Sequence, residues 1–168
     1  MKICVLLADG FEEVEAIAPI DLLRRAGFDV TTIAIKNKEV VGSHGITVIA
    51  DKVSDEVSPD EFDAAILPGG MPGSLNLDSS AFVDSVINAV LAKNGNLAAI
   101  CAAPMVLGHR GLLEGKDATC FPGFEKELFL AKIKNAAVVT DGKITTANGM
   151  ESALEFGKEL VKQFSKSK

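Results

Sequence analysis

The segment Leu97-Ala98-Ala99-Ile100-Cys101-Ala102-Ala103-Pro104 sets a cysteine where a buried apolar strand must turn abruptly into a helix. Such an elbow crowds the backbone against itself and needs small neighbours, a need that Ala99, Ala102 and Ala103 meet. Pro104 suits a first helical turn, where its missing N–H is not required. A thiol there feels the positive end of the helix dipole and its unpaired amides, so the sequence predicts a depressed pKa for Cys101 and a thiolate at neutral pH. The chemistry this allows is addition of sulfur to an electrophilic carbon, or oxidation of the sulfur itself. Cys4, in mid-strand, and Cys120 read as buried structural thiols.

A nucleophilic cysteine commonly uses a histidine base, and the chain holds two histidines. His109 lies two turns along the helix that follows Cys101, about 12 Å by helical rise, and reads as a surface or packing residue. His44 sits in a turn and reaches a cleft only through tertiary or quaternary contact. The remaining partners are the carboxylates of Glu12-Glu13-Val14-Glu15. Helical spacing turns Glu15 to the side of Phe11 and Ala18, toward a sheet, and leaves Glu12 and Glu13 in water. A carboxyl so buried has a raised pKa and can donate a hydrogen bond to a thiolate. Pro68-Gly69-Gly70 offers backbone N–H groups close to a ligand, and Gly70 N–H with Ala102 N–H makes a candidate oxyanion hole. No Gly-Lys-Ser/Thr follows it and no G-x-G-x-x-G occurs, so no nucleotide cofactor is expected. The odd count of three cysteines, without C-x-x-C spacing, predicts neither a disulfide framework nor a cysteine-based zinc site.

The elements that must position these groups alternate strand and helix. Apolar runs at 3–7, 28–35, 64–67 and 97–100 read as buried strands, with a short β excursion around the turn at 42–45. Val14, Ile17, Ala18, Leu22 and Leu23 mark a first helix ending at Gly27, and residues 81–92 a second, amphipathic one. A third is expected from Ala102 to about Leu113. Further strands are expected at 118–121 and 136–140, with Asp141-Gly142 turning into 144–147. A closing helix ends near Phe164, and 165–168 reads as a frayed basic tail. The architecture this predicts is one domain over 1–168, an α/β/α three-layer sandwich with a mostly parallel sheet, whose strand-end loops converge on one crevice.

A chain of 168 residues buries a substantial core without staples. A net charge of −6, with no Trp or Tyr, disfavours nucleic acid and anionic membrane surfaces. No apolar run approaches the ~18 residues that span a bilayer, and the N-terminal run is too short for a signal sequence. Cytoplasmic residence and small-molecule or protein partners are expected.

Ala8-Asp9-Gly10-Phe11-Glu12-Glu13-Val14-Glu15, Asp21-Leu22-Leu23-Arg24-Arg25-Ala26-Gly27, Leu67-Pro68-Gly69-Gly70 and Ala98-Ala99-Ile100-Cys101-Ala102-Ala103-Pro104 together resemble the ThiJ/PfpI superfamily. The likeness is nearest its Parkinsonism-associated (DJ-one) branch. It implies a flavodoxin-like fold, a homodimer, Cys101 as oxidisable nucleophile, Glu15 as its protonated partner, and Gly70 with Ala102 as oxyanion donors. It also implies a pocket-side place for Arg25, although a helix-surface arginine fits equally, and puts His44 where relatives carry an arginine near the partner subunit's pocket. The implied activities are glyoxalase or deglycase action on methylglyoxal and its adducts, or redox-responsive chaperoning. Phe121-Pro122 stands where some relatives have a pocket histidine before proline, and Asn148-Gly149-Met150-Glu151 replaces an Arg-Gly-Pro-Gly segment. Protease-like members have histidine after the cysteine, whereas Cys101 is followed by Ala102, which disfavours protease activity.

Overall fold

A computed structural model describes residues 1–166 of the chain. In chain order its elements are β1 (Lys2–Leu7), α1 (Glu13–Arg25), β2 (Asp29–Ala34), β3 (Glu39–Val41), β4 (Thr47–Ile49), β5 (Lys52–Val53), β6 (Ala64–Leu67), α2 (Gly73–Asp78), α3 (Ala81–Ala92), β7 (Asn96–Ile100), α4 (Pro104–His109), β8 (Asp117–Ala118), β9 (Lys132–Ile133), β10 (Val138–Asp141), β11 (Ile144–Ala147) and α5 (Ala153–Ser165). The main sheet runs β10-β11-β7-β6-β1-β2-β5. Every pairing in it is parallel except β10 with β11.

Alternation along the strands feeds two cores. Cys4 and Leu6 of β1 pack with Val83, Val86 and Leu107 on the α3–α4 side. Ile3, Val5 and Leu7 pack with Ile20, Leu23, Phe156 and Phe164 on the α1–α5 side. Both faces of the sheet are therefore covered, which is why its strands read as continuous apolar runs. The result is the expected three-layer, flavodoxin-like sandwich. From β1 the chain steps to β2 on one side and later to β6 on the other, so a crevice forms at the carboxyl ends of β1 and β6.

Several local expectations change. The helix after Cys101 is only α4, with Gly111 at φ +69 beyond its end, so it neither begins at Ala102 nor reaches Leu113. Residues 117–118 pair with β9 in a separate small sheet rather than joining the main one. The last hairpin turns on Gly142-Lys143, since Asp141 already pairs with Ile144 and Gly142 takes the positive φ. Helix α1 buries Ala16, Pro19, Ile20 and Leu23, while Val14 and Ile17 stay 45 % and 46 % exposed. Of the expected basic tail, Ser165 ends α5, Lys166 caps it, and 167–168 lie outside the described residues.

Candidate active site

Cys101 sits at φ +65 at the end of β7, a left-handed conformation costly for a residue with a Cβ and held here by its surroundings. Its N–H donates to the Ala147 carbonyl at 2.9 Å and its carbonyl accepts the Phe121 N–H at 2.8 Å. Buried Ala102 and Ala103 leave the elbow room to turn. The side chain is partly accessible, whereas Cys4 and Cys120 are buried.

Glu15 arrives from the first turn of α1 and is 0 % exposed. Glu12 accepts the Glu15 N–H at 2.8 Å and so caps the helix that carries it. One Glu15 carboxyl oxygen, Oε2, accepts the Gly69 N–H at 3.0 Å. The other, Oε1, is buried without a hydrogen-bond partner, and the carboxyl lies within electrostatic reach of the Cys101 thiol. Glycine is required at 69 because a Cβ there would run into Glu15 Oε2 and the Cβ of Cys101. Gly70, at φ +91, turns the loop toward the sulfur, where its own amide and that of Ala102 favour the thiolate. The structure thus brings together Cys101, Glu15, Gly70 and Ala102.

Burial raises the Glu15 carboxyl to about 7; the Cys101 hydrogen bond opposes this, the Glu12 charge adds to it, and the Gly69 amide opposes it. Burial also pushes the Cys101 thiol up to about 12, with the charge and hydrogen bond of Glu15 adding and the Ala102 and Gly70 amides pulling back. The expectation of a depressed thiol pKa is therefore corrected. The helix that was to supply the field has six residues and starts three positions beyond the sulfur, and a carboxylate lies against the thiol. Above about pH 7 the pair holds one proton, on the thiol, and below that it holds two.

Glu13, expected in water, is buried. It accepts the His44 N–H at 2.8 Å, His44 Nδ1 at 2.9 Å, the Ile46 N–H at 3.3 Å and Ser43 Oγ–H at 3.5 Å. The turn between β3 and β4 folds over α1 and brings these donors, a long-range contact that helical periodicity does not encode. Burial pushes Glu13 up, but the His44 side chain and the backbone amides together outweigh it and hold the carboxyl at about 2. A folded pKa below the unfolded one stabilises the fold above about pH 4.5 and loses that contribution as pH falls toward 2. Glu13→Gln is expected to cost about 1–3 kcal/mol at pH 7. Thermal melts should show the gap to wild type closing by pH 2.5; a constant gap would place the effect elsewhere.

His44 is 70 % exposed with Nδ1 on Glu13, which raises its pKa through the hydrogen bond and the charge. Glu12, Glu13 and His44 offer ligand atoms within 4.8 Å of one another, the group among the described residues with metal-like spacing, but Glu13 Oε2 and His44 Nδ1 are already bonded to each other. Arg25 is not brought to the thiol: it lies in the last turn of α1, 74 % exposed, paired with Asp21 at 2.7 Å. His109 bridges Asp78 and Glu127, both at 2.8 Å, and stacks on Phe129. Phe121 is exposed beside Gly149, so no imidazole stands at that side of the elbow. Gly69, whose N–H orients Glu15, was missed by sequence reasoning, and its signal was the doubled glycine.

A model of the DJ-1/PfpI family matches residues 1–163. The chain belongs to the DJ-1/PfpI family. Protein DJ-1 homolog B of Arabidopsis thaliana is 39 % identical over 96 % of this chain, which spans only 38 % of that longer relative. A protein named a deglycase from Pyrococcus abyssi is 33 % identical over 96 % of this chain and 98 % of its own length. The oxidised form of Toxoplasma gondii DJ-1 superposes with a TM-score of 0.92 at 35 % identity, covering 97 % of this chain and 90 % of that one.

Proposed function

We propose that the chain is a cysteine-dependent, stress-protective enzyme acting on methylglyoxal-type oxoaldehydes or their protein adducts, glyoxalase- or deglycase-like. The observation that carries this reading is the orphaned oxygen of a fully buried carboxyl beside Cys101, where the Gly70 and Ala102 amides favour the thiolate of the same sulfur. Relatives named deglycases support it.

The reaction needs no standing thiolate. The sulfur bonds to the aldehyde carbon of methylglyoxal while the thiol proton passes to the Glu15 carboxylate. The new oxyanion accepts hydrogen bonds from Gly70 and Ala102 N–H and then takes that proton from Glu15, giving a hemithioacetal. Glu15 next removes the proton from the same carbon, and the electron pair forms a carbon–carbon double bond as the neighbouring carbonyl becomes an enediolate; that oxygen takes the hydroxyl proton of the first carbon and Glu15 returns its proton to the neighbouring carbon, which leaves a lactoyl thioester. Water cleaves the C–S bond, releasing lactate and restoring the thiol. One carbon is oxidised and its neighbour reduced, so only water is added. With an adduct, sulfur displaces the carrier nitrogen, which leaves protonated.

The test is consumption of methylglyoxal and appearance of lactate without added thiol. Lactate no faster than in buffer sinks the enzyme reading. A second reading, a redox sensor or chaperone using the same cysteine without turnover, is favoured by Cys101 being the one of the three thiols that is not buried. It predicts selective gain of two oxygens at Cys101 under low peroxide by mass spectrometry; equal oxidation of Cys120 would reject it.

Half-exposed Val14 and Ile17 on α1 support a homodimer. No helix among the described residues is long and apolar enough to cross a membrane. A cytoplasmic location, no cofactor and no nucleic-acid partner complete the proposal.

A further inference from the structure

A cavity begins one residue beyond each of the two backbone hydrogen-bond partners of Cys101. The partners of the Cys101 peptide are Phe121, which donates to its carbonyl, and Ala147, which accepts from its N–H. Their neighbours Cys120 and Asn148 both wall a cavity of about 280 Å³, together with Pro122, Glu125, Lys134 and Asn135. The Cys101 elbow and this cavity therefore share a wall.

The groups facing the cavity are held in place by bonds that leave capacity free. Glu125 Oε2 accepts the Gly123 N–H at 2.8 Å, which fixes the carboxylate and leaves its second oxygen. Lys134 reaches Asp117 at 3.3 Å, one contact for an ammonium with three donors. Asn148 Oδ1 accepts Ser152 Oγ–H at 2.6 Å, so its NH2 remains a donor, and the Asn135 amide has no partner among the described residues. Between them Cys120 is 6 % exposed. Burial, then the Glu125 charge, pushes its thiol up to about 11, so it stays neutral and gives an apolar floor at physiological pH.

One carboxylate, one ammonium and two amides around an apolar floor complement a small zwitterion. A net anion would meet Glu125 and a net cation Lys134, while a ligand carrying both charges satisfies both. The volume lies at the lower edge of the roughly 300–1,000 Å³ usual for small-molecule sites, which suits one amino acid and excludes a folded protein surface.

We propose that this cavity binds the free α-ammonium and α-carboxylate of an amino acid, so that the preferred adduct is one carried on the side chain of a free amino acid rather than on a protein. The choice of adduct rests on the enzyme reading above; the binding does not. A long side chain such as that of arginine would run from the cavity toward Cys101 and present its modified end there.

Binding is read by calorimetry on the Cys101→Ser chain, which cannot turn over. L-Arginine should bind, and Nα-acetyl-L-arginine amide, with both α charges removed, should bind at least about tenfold more weakly. Glu125→Gln and Lys134→Ala should each weaken L-arginine by about tenfold, through opposite ends of the ligand. Equal binding of the two ligands, or L-arginine binding that neither substitution weakens, overturns the site. With wild type, the methylglyoxal adduct of L-arginine should be turned over with about tenfold higher kcat/KM than that of the blocked analogue; equal values overturn the preference. Absence of turnover on free methylglyoxal would instead refute the enzyme reading and leave the binding result standing.

Discussion

Cys101→Ser is expected to lower lactate formation from methylglyoxal by at least about a thousandfold, with the fold intact. Serine keeps the elbow's geometry and nearly its volume, so the backbone bonds to Ala147 and Phe121 persist. What it loses is acidity and nucleophilicity together. Even the thiol, raised to about 12, depends on Glu15 to accept its proton as the C–S bond forms, and a carboxylate of about 7 is a weak base for a hydroxyl several units less acidic again. Cys4→Ser is the control: that thiol is buried in mid-strand, donating to the Ala64 carbonyl at 3.5 Å, so turnover per folded molecule should not change. Wild-type rates in Cys101→Ser would remove the Cys101 sulfur from the chemistry, and loss of rate in Cys4→Ser would move the reacting thiol to β1.

The elbow was legible because its constraints are local. Small residues flank the cysteine, a proline opens the next helix, and an apolar run delivers the turn; each is a statement about adjacent residues, and each is met. Strands at 64–67 and the helix at 81–92 were equally plain, since both faces of one and one face of the other are buried by neighbours of the same sheet. Short elements were not. The β5 strand has two residues and borrows its pairing from β2, and α2 has six residues and opens on glycine, so neither carries a period. Glu13 and Glu15 sit two residues apart in the same acidic run, yet one is buried by the sheet behind it and the other by a turn some thirty residues downstream. Helical spacing sees the first and is blind to the second. The thiol's acidity failed for a related reason: the dipole argument weighs one favourable field, whereas the folded site adds burial and a neighbouring charge of the opposite effect.

Glu15→Gln should separate these forces, because it is expected to make the protein more stable, the thiol more acidic and the enzyme slower. A carboxyl with a folded pKa of about 7 against about 4.5 unfolded binds an extra proton in the folded state between those values. Stability is thus greatest below about pH 4.5 and falls as pH rises through 7, a loss of about 3 kcal/mol by pH 8. Glutamine does not titrate, so the variant should melt like wild type near pH 4 and well above it at pH 8. Removing the charge also removes an influence that raises the Cys101 pKa, so alkylation by iodoacetamide should reach its midpoint at lower pH than in wild type. Turnover should nevertheless fall by about a hundredfold or more, since the amide can neither accept the thiol proton nor return it to the oxyanion. A slower enzyme with a more reactive sulfur cannot arise from general disruption of the site, which would depress both. If turnover instead rises with thiol reactivity, Glu15 is a restraint on Cys101 and not its proton carrier, and the mechanism must find its base elsewhere.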